Sequence, residues 1–332
     1  MFSDSPVIYK YDKLLNKYVY YPATHIKWRS EGWGNTVVGK HGVNAITDIT
    51  KHSQAKVCIW GDSYVEAHQV DDDEKMSQIL NALLAENKYR NLIAFDVGMS
   101  GHEIADYYFD IPRYEKIVPS ITAHFIVLTN FNDTLPKTKP TGEERVGVFL
   151  ENPHRLALRQ NFKPKYHRFK YLLYKYSVYF IWEPVRRFLS AEIRFVPGTR
   201  QMVSDKKSAK TYPEIREEAW TFLLTKLHFQ TRKPIVFVYC PPIPTIIKGQ
   251  IIHIEPDAEL KKDFAKLANV HQIKFIDVSD RFIKSYQDHG SFPRGFSNSR
   301  PSEGHFNAVG HKIVAQAIFD FIKDNTDVVH SN

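Results

Sequence analysis

The stretch VCIWGDSYVEAH, Val57–His68, decides how the chain is read. Val57, Cys58, Ile59 and Trp60 form a short apolar run without polar alternation, as a strand buried on both faces of a parallel sheet requires. The run stops at Gly61-Asp62, and a serine follows at once. A turn accounts for the glycine and the aspartate. It does not account for Ser63, which follows directly on the strand's carboxyl end, where open α/β sheets bind their ligands.

Four further runs of the same kind lie downstream: LIAFDV (92–97), AHFIVLT (123–129), PIVFVYC (234–240) and IKFIDV (273–278). Helical patterns alternate with them. Met76, Ile79, Leu80, Leu83 and Leu84 fall on one helical face, as do Ile313, Val314, Ala317, Ile318, Phe321 and Ile322. PEIREEAWTFLLTKL and PDAELKKDFAKLA supply two more helices, each opened by a proline suited to a first turn. The alternation predicts an α/β/α three-layer sandwich on a five-stranded parallel sheet. Residues 1–50, rich in Tyr, Gly and turn signals, read as an N-terminal extension packed on a core of residues 51–332. Residues 136–212 interrupt the alternation as an insertion between the third and fourth strands.

Composition sets the outer bounds. With 332 residues, 43% of them apolar, the chain has material for a sizeable core. Its formal charge of +8 is uneven, because residues 151–210 hold 14 Lys or Arg against 4 Asp or Glu. The basicity therefore belongs to one segment rather than to the whole surface. Within it, YHRFKYLLYKYSVYFIWEPVRRFL reads as a helical cap over the sheet's carboxyl edge. Its aromatic face and flanking basic side chains also suit peripheral membrane contact, but they fit no RNA-binding motif, so no nucleic-acid partner is expected. No window approaches the ~18 apolar residues of a membrane span. The start, MFSDSPVIYKYDK, has none of the features of a signal peptide. A cytoplasmic, at most membrane-peripheral, protein is expected. Cys58 and Cys240 both fall in strand runs and read as buried free thiols. The absence of HExxH, of Cys-rich spacing, of a Walker loop and of GxGxxG predicts neither a metal nor a nucleotide cofactor.

Four clusters sit where chemistry would: GDS (61–63), GMSG (98–101) and NFND (130–133), each after a strand, and SEGHFNAVGH (302–311), just before the last helix. Together they resemble the blocks of the SGNH hydrolase superfamily, the GDSL-type esterases, over about residues 52–325. Gly61, Asp62 and Ser63 match the first block, Ser100-Gly101 the second, Asn132 and Asp133 the third, and His305, Asn307 and Gly310 the last. The resemblance implies a flavodoxin-like α/β fold, a Ser63 nucleophile, a His305 base, and an oxyanion hole of the Ser63 and Gly101 backbone N–H groups with the Asn132 amide. The sequence departs from the family twice. Asn130 stands where the third block has glycine, and Ser302 stands where the family carries Asp three positions before the histidine. Glu303 is then the candidate acid, the alternative being a Ser63–His305 dyad steadied by a backbone carbonyl.

A serine hydroxyl is a poor nucleophile until a base takes its proton, and a tetrahedral oxyanion needs donors already in place. The activity implied by the resemblance is removal of an O-acyl group, with acetyl on a carbohydrate as the expected substrate, as in similar SGNH proteins of bacterial polysaccharide pathways. An O-acyltransferase using the same serine is the alternative enzyme, and a glycan-binding or scaffold protein on the same fold is the alternative without activity. Asp62 and Asp133 read as sheet-end hydrogen-bonding groups, His68 and His311 as structural, and His102 is left open.

Overall fold

A computed structural model describes residues 8–45, 48–51, 54–135, 146–152, 155–160, 165, 168–169, 172–173, 176 and 213–326. Its centre is a parallel sheet of β1 (Ala55–Gly61), β2 (Leu92–Gly98), β3 (Ile121–Leu128), β4 (Ile235–Tyr239) and β5 (Lys274–Asp277). The spatial order is β5-β4-β3-β1-β2, the flavodoxin-like order. Every neighbouring pair is parallel.

The strands are apolar on both faces because both are covered. Cys58, Trp60, Phe95, Ile126 and Phe237 point to one side, where they pack with Tyr107, Ile111, Trp220, Leu224 and Phe264. Those residues come from α3 (Ile104–Ile117), α4 (Pro213–Gln230) and α5 (Ala258–Val270). Val57, Ile59, Ala94, Phe125 and Val236 point to the other side, against Leu80, Leu84, Phe282, Val314 and Ile318. These belong to α2 (Met76–Glu86), α6 (Ser279–His289) and α7 (Ala308–Asp324). The period-2 alternation along each strand thus feeds two separate hydrophobic layers. Cys58 and Cys240 are free and buried. The helix expected from PDAELKKDFAKLA begins after its Asp257 N-cap, so Pro256 precedes the helix instead of occupying its first turn. Between β1 and α2 stands a four-residue helix, α1 (Ser63–Glu66).

Ahead of β1 the chain forms two antiparallel hairpins, Tyr9–Asp12 with Lys17–Tyr20 and His25–Lys27 with Asn35–Val37. Both are tied to the sandwich. Lys17 pairs with Asp110 of α3, the Tyr114 hydroxyl donates to His41 O at 2.6 Å, and the buried Lys75 donates to Thr36 Oγ1 at 2.7 Å. The first part of the insertion departs from the helical expectation, whereas residues 165, 168–169 and 172–173 are helical as expected. Val146–Asn152 and Arg155–Gln160, two runs of strand length separated by an Asn-Pro turn signal, form an antiparallel hairpin. The segment 166–189, on which the cap and membrane readings rest, lies largely outside the described residues. Among the described residues, no helix is long and apolar enough to cross a membrane.

Candidate active site

The site assembles along the carboxyl edge of the sheet. Gly61 and Gly98, the last residues of β1 and β2, are register partners, and β3 flanks β1 on its other side. The loops after all three strands therefore leave from one edge. At β1 the chain turns directly into α1. Asp62 is its N-cap, accepting from Tyr64 N at 2.9 Å, and Ser63 is its first residue. The turn is tight enough to need two glycines: a Cβ on Gly61 would lie 2.3 Å from Val65 Cγ2, and one on Gly98 2.0 Å from Glu66 N.

His305 arrives from the far end of the chain on the loop preceding α7. Asn307 fixes that loop. Its carbonyl oxygen caps α7 through Val309 N and Gly310 N, while its amide donates to Phe292 O and Gly295 O at 2.8 and 3.0 Å. The loop's neck is closed by a bridge between Arg294 and Phe306 and by Gly295 N donating to His305 O. In this position His305 Nε2 lies 2.8 Å from Ser63 Oγ.

The carboxylate on the other ring nitrogen is Glu31, which the sequence reading did not consider. Its Oε2 lies 2.6 Å from His305 Nδ1, and its Oε1 accepts from the His305 backbone N–H at 2.8 Å. Burial alone would raise the Glu31 carboxyl; the two hydrogen bonds from His305 outweigh it and hold the group below its ordinary range. Glu303, the expected acid, is 54% exposed and faces Arg300 at 3.6 Å. The expectation fails because Ser302 and Gly304 both have positive φ, which turns the chain between them outward. Ser302, at the family's acid position, is buried. Its Oγ accepts from Ile246 N at 3.0 Å, tying down the small hairpin Thr245–Ile252.

Glu31 sits in the loop between the two strands of the second N-terminal hairpin. Asn298 clamps that loop, donating to Arg29 O and Gly32 O and accepting from Gly32 N at 2.7 Å. Gly32 and Gly34 press on the chain after α1, where a Cβ would lie 2.2 Å from Gln69 O and 2.3 Å from His68 O. Glycine is also required opposite: a Cβ on Gly304 would lie 2.1 Å from Glu31 Oε1. The signal in the sequence was the glycine pair around Trp33 in EGWG, together with the missing acid before His305.

The three expected oxyanion donors share one property. Ser63 N–H, Gly101 N–H and the Asn132 side-chain amide donate to no described residue. Gly101 is exposed with φ +79°. Asn130 does not need the glycine conformation of the family's third block, because its φ is not positive. Its side chain instead accepts from Asn132 N and Asp133 N at 2.9 and 3.2 Å and shapes the turn that presents Asn132. Asp133 accepts from the Asn130 amide. Burial pushes the Asp62 carboxyl up to about 6, against the pull of its hydrogen bond from Tyr64. His68, His102 and His311 are all buried, and burial drives them toward the neutral form, with His102 and His311 pushed down to about 3. Among the described residues, no group of three or more His, Cys, Asp or Glu could hold a metal ion.

No protein-family model matches the chain, and no curated protein matches it in sequence. Several solved structures are similar. The acetyl xylan esterase AlAXEase aligns at 14% identity and TM-score 0.42, over 80% of this chain and 99% of its own. A lipase/acylhydrolase from Enterococcus faecalis aligns at 13% and 0.39, over 82% and 97%. An acetylxylan esterase from Geobacillus stearothermophilus, solved as a catalytic mutant, aligns at 12% and 0.38, over 82% and 95%.

Proposed function

We propose that this chain is a serine esterase of the SGNH type, acting through a Ser63–His305–Glu31 triad and an acyl-enzyme. The observation that carries the reading is the unbroken run of contacts from Ser63 Oγ to His305 Nε2 at 2.8 Å and from His305 Nδ1 to Glu31 Oε2 at 2.6 Å. Three groups from distant parts of the chain meet in the order that serine activation needs.

With Nδ1–H donating to Glu31, Nε2 is the lone-pair nitrogen and accepts the Ser63 proton as Oγ attacks the ester carbonyl. Glu31 stabilises the imidazolium so formed. The oxyanion takes hydrogen bonds from Ser63 N–H, Gly101 N–H and the Asn132 amide, none of them committed elsewhere among the described residues. Collapse expels the alkoxide, which takes its proton from His305 Nε2 and leaves Ser63 acylated. Water then attacks the acyl-enzyme with His305 again as base, releasing the acid and free Ser63. A sugar hydroxyl in place of that water would give acyl transfer from the same intermediate. The substrate we assign is an O-acetylated carbohydrate, on the resemblance to SGNH proteins of polysaccharide pathways.

The test is reaction with a fluorophosphonate probe read by intact mass, alongside hydrolysis of p-nitrophenyl acetate. One adduct is expected, absent in Ser63→Ala. Ser63→Ala and His305→Ala should each abolish nearly all turnover, and the double variant should be little worse than either, because the residues act as a unit. A folded wild-type protein that takes no probe would overturn the reading in favour of a binding protein. Acetylated sugars offered with and without an acceptor sugar then separate hydrolysis from transfer.

A further inference from the structure

Behind the triad lies a buried cation that the mechanism does not use. Arg294 is 4% exposed, yet no carboxylate lies within ion-pair distance of it among the described residues. Its charge reaches the Asp62 carboxyl only through space. Its donors go instead to two neutral oxygens: Nη1 to the Tyr64 hydroxyl at 2.7 Å and Nη2 to Cys240 O at 2.6 Å. Nε has no partner among the described residues. The guanidinium carbon lies 4.7 Å from the centre of the Tyr64 ring and 4.9 Å from that of Phe306. A buried charge without an anion is a net cost to folding that stacking on rings offsets only in part. Packing alone would be served better by an apolar side chain.

What Arg294 does hold is the relation between nucleophile and base. Tyr64 follows Ser63 on α1, and its hydroxyl donates to Gly304 O, the carbonyl just before His305, at 3.0 Å. Its ring lies 4.9 Å from the His305 imidazole and 4.8 Å from Phe306. Tyr64 therefore bridges the serine's helix to the histidine's loop. A guanidinium only donates, so the Tyr64 oxygen must accept from Arg294, and its single proton is left for Gly304 O. The Cys240 carbonyl, just beyond β4, anchors the same guanidinium to the sheet. A lysine, with a single point-like ammonium, could not hold both oxygens in the fixed fork of a guanidinium while staying in contact with both rings.

We infer that Arg294 and Tyr64 form a positioning clamp that sets the Ser63–His305 contact, with Arg294 acting through the Tyr64 hydroxyl. Neither residue is assigned a contact with substrate, and the clamp rests on the esterase reading above. It predicts an unusual separation of activity from stability. Arg294→Met fills the space without a buried charge, so its melting temperature should equal or exceed the wild type. Its rate of fluorophosphonate labelling and its kcat on p-nitrophenyl acetate should fall roughly 10- to 100-fold at nearly constant KM, as small misplacements of catalytic groups do.

The experiment measures labelling rate, kcat, KM and melting temperature for wild type, Tyr64→Phe, Arg294→Met and the double variant. Tyr64→Phe deletes only the hydroxyl and keeps the ring, so it tests the clamp even where Arg294→Met folds poorly. The clamp requires that Tyr64→Phe lose at least about tenfold in labelling rate and kcat, and that Arg294→Met add little in that background. Tyr64→Phe labelling at the wild-type rate overturns the proposal. So does a lowered melting temperature in Arg294→Met with unchanged labelling per folded molecule, which would make Arg294 a packing residue. A wild-type protein inert to the probe removes the esterase reading itself and the clamp with it, and is told apart because no variant comparison is then needed.

Discussion

Two regions contribute to the proposed triad in different ways. The sandwich presents Ser63 and His305 from positions dictated by its own architecture, one just past the end of β1 and one just before α7. The N-terminal extension presents Glu31 from a hairpin loop that belongs to no layer of the sandwich. That loop is held by Asn298, by the backbone at Gln69 and by the His305 contacts themselves. The comparison teaches that the proposed nucleophile and base are products of the fold, while the proposed acid is a product of docking. On the proposed reading the sandwich alone would carry a dyad, and the extension completes it.

The sharpest way to break this comparison is to exchange the fates of the two carboxylates. Glu31→Gln keeps the size but removes the charge facing the imidazolium, and its amide can present an N–H to Nδ1 and favour the wrong tautomer. The Asp→Asn change in serine protease triads costs about 10⁴ in kcat, so a loss of roughly 10² to 10⁴ in p-nitrophenyl acetate turnover is expected here. Glu303→Gln should stay within about twofold of wild type, as exposed substitutions usually do. The reverse ranking would place the acid in the His305 loop and leave the extension structural.

The contributions of the sandwich were legible because they follow from local pattern. An apolar run ending in Gly-Asp-Ser places Ser63 at a strand's carboxyl end, and the apolar stripe from Ile313 to Ile322 places His305 just ahead of a helix. Glu31 was illegible for the opposite reason. It meets His305 across 274 residues, through loop-to-loop contacts that no periodicity records. Glu303 drew attention by sequence proximity, but proximity along the chain says nothing when Ser302 and Gly304 both have positive φ. Likewise Asn130 reads as a departure from the third block only until its side chain is seen to form the turn that a glycine would otherwise allow.

A second, smaller effect tests the sandwich's own share. Asn132→Ala removes one oxyanion donor and should lower kcat about 100-fold with little change in KM, because the hydrogen bond forms chiefly in the transition state. A change confined to KM would make Asn132 a substrate-binding residue. The loss should appear at similar size in the Glu31→Gln background if oxyanion stabilisation and base orientation are separate functions.

The docking itself can be loosened without touching a carboxylate. Gly304→Ala puts a methyl where Glu31 Oε1 lies and forces Ala into a conformation with φ near +80°. The flexible end of Glu31 must move, which breaks its paired contact with His305. About a tenfold loss in kcat is expected on the scale of small misplacements, vanishing when Glu31 is already Gln. An equal loss in both backgrounds would mean that the methyl disturbs the loop rather than the acid.

The smallest effect concerns the seam between extension and sandwich, and it is read in stability. Asp96 of β2 is fully buried, accepts from Ser77 Oγ, and forms a backbone bridge to Asn44 of the extension. Burial pushes its carboxyl up to about 7, and the hydrogen bond from Ser77 and the charge of Lys75 only partly offset this. An unfolded aspartate titrates near about 3.9. Between these values the folded chain holds a proton that the unfolded chain has lost, so stability falls as pH rises from about 4 to about 7. Below that window both states are protonated, and above it both are ionised, so the slope is confined to it. Asp96→Asn cannot ionise and lacks this slope. The groups held low, Glu31 among them, are common to both proteins and cancel in the difference. Thermal melts at pH 5 and pH 8 should therefore show the variant gaining a few degrees on the wild type at the higher pH. A difference independent of pH would mean that Asp96 stays ionised across the range and that the Lys75 charge outweighs burial at this seam.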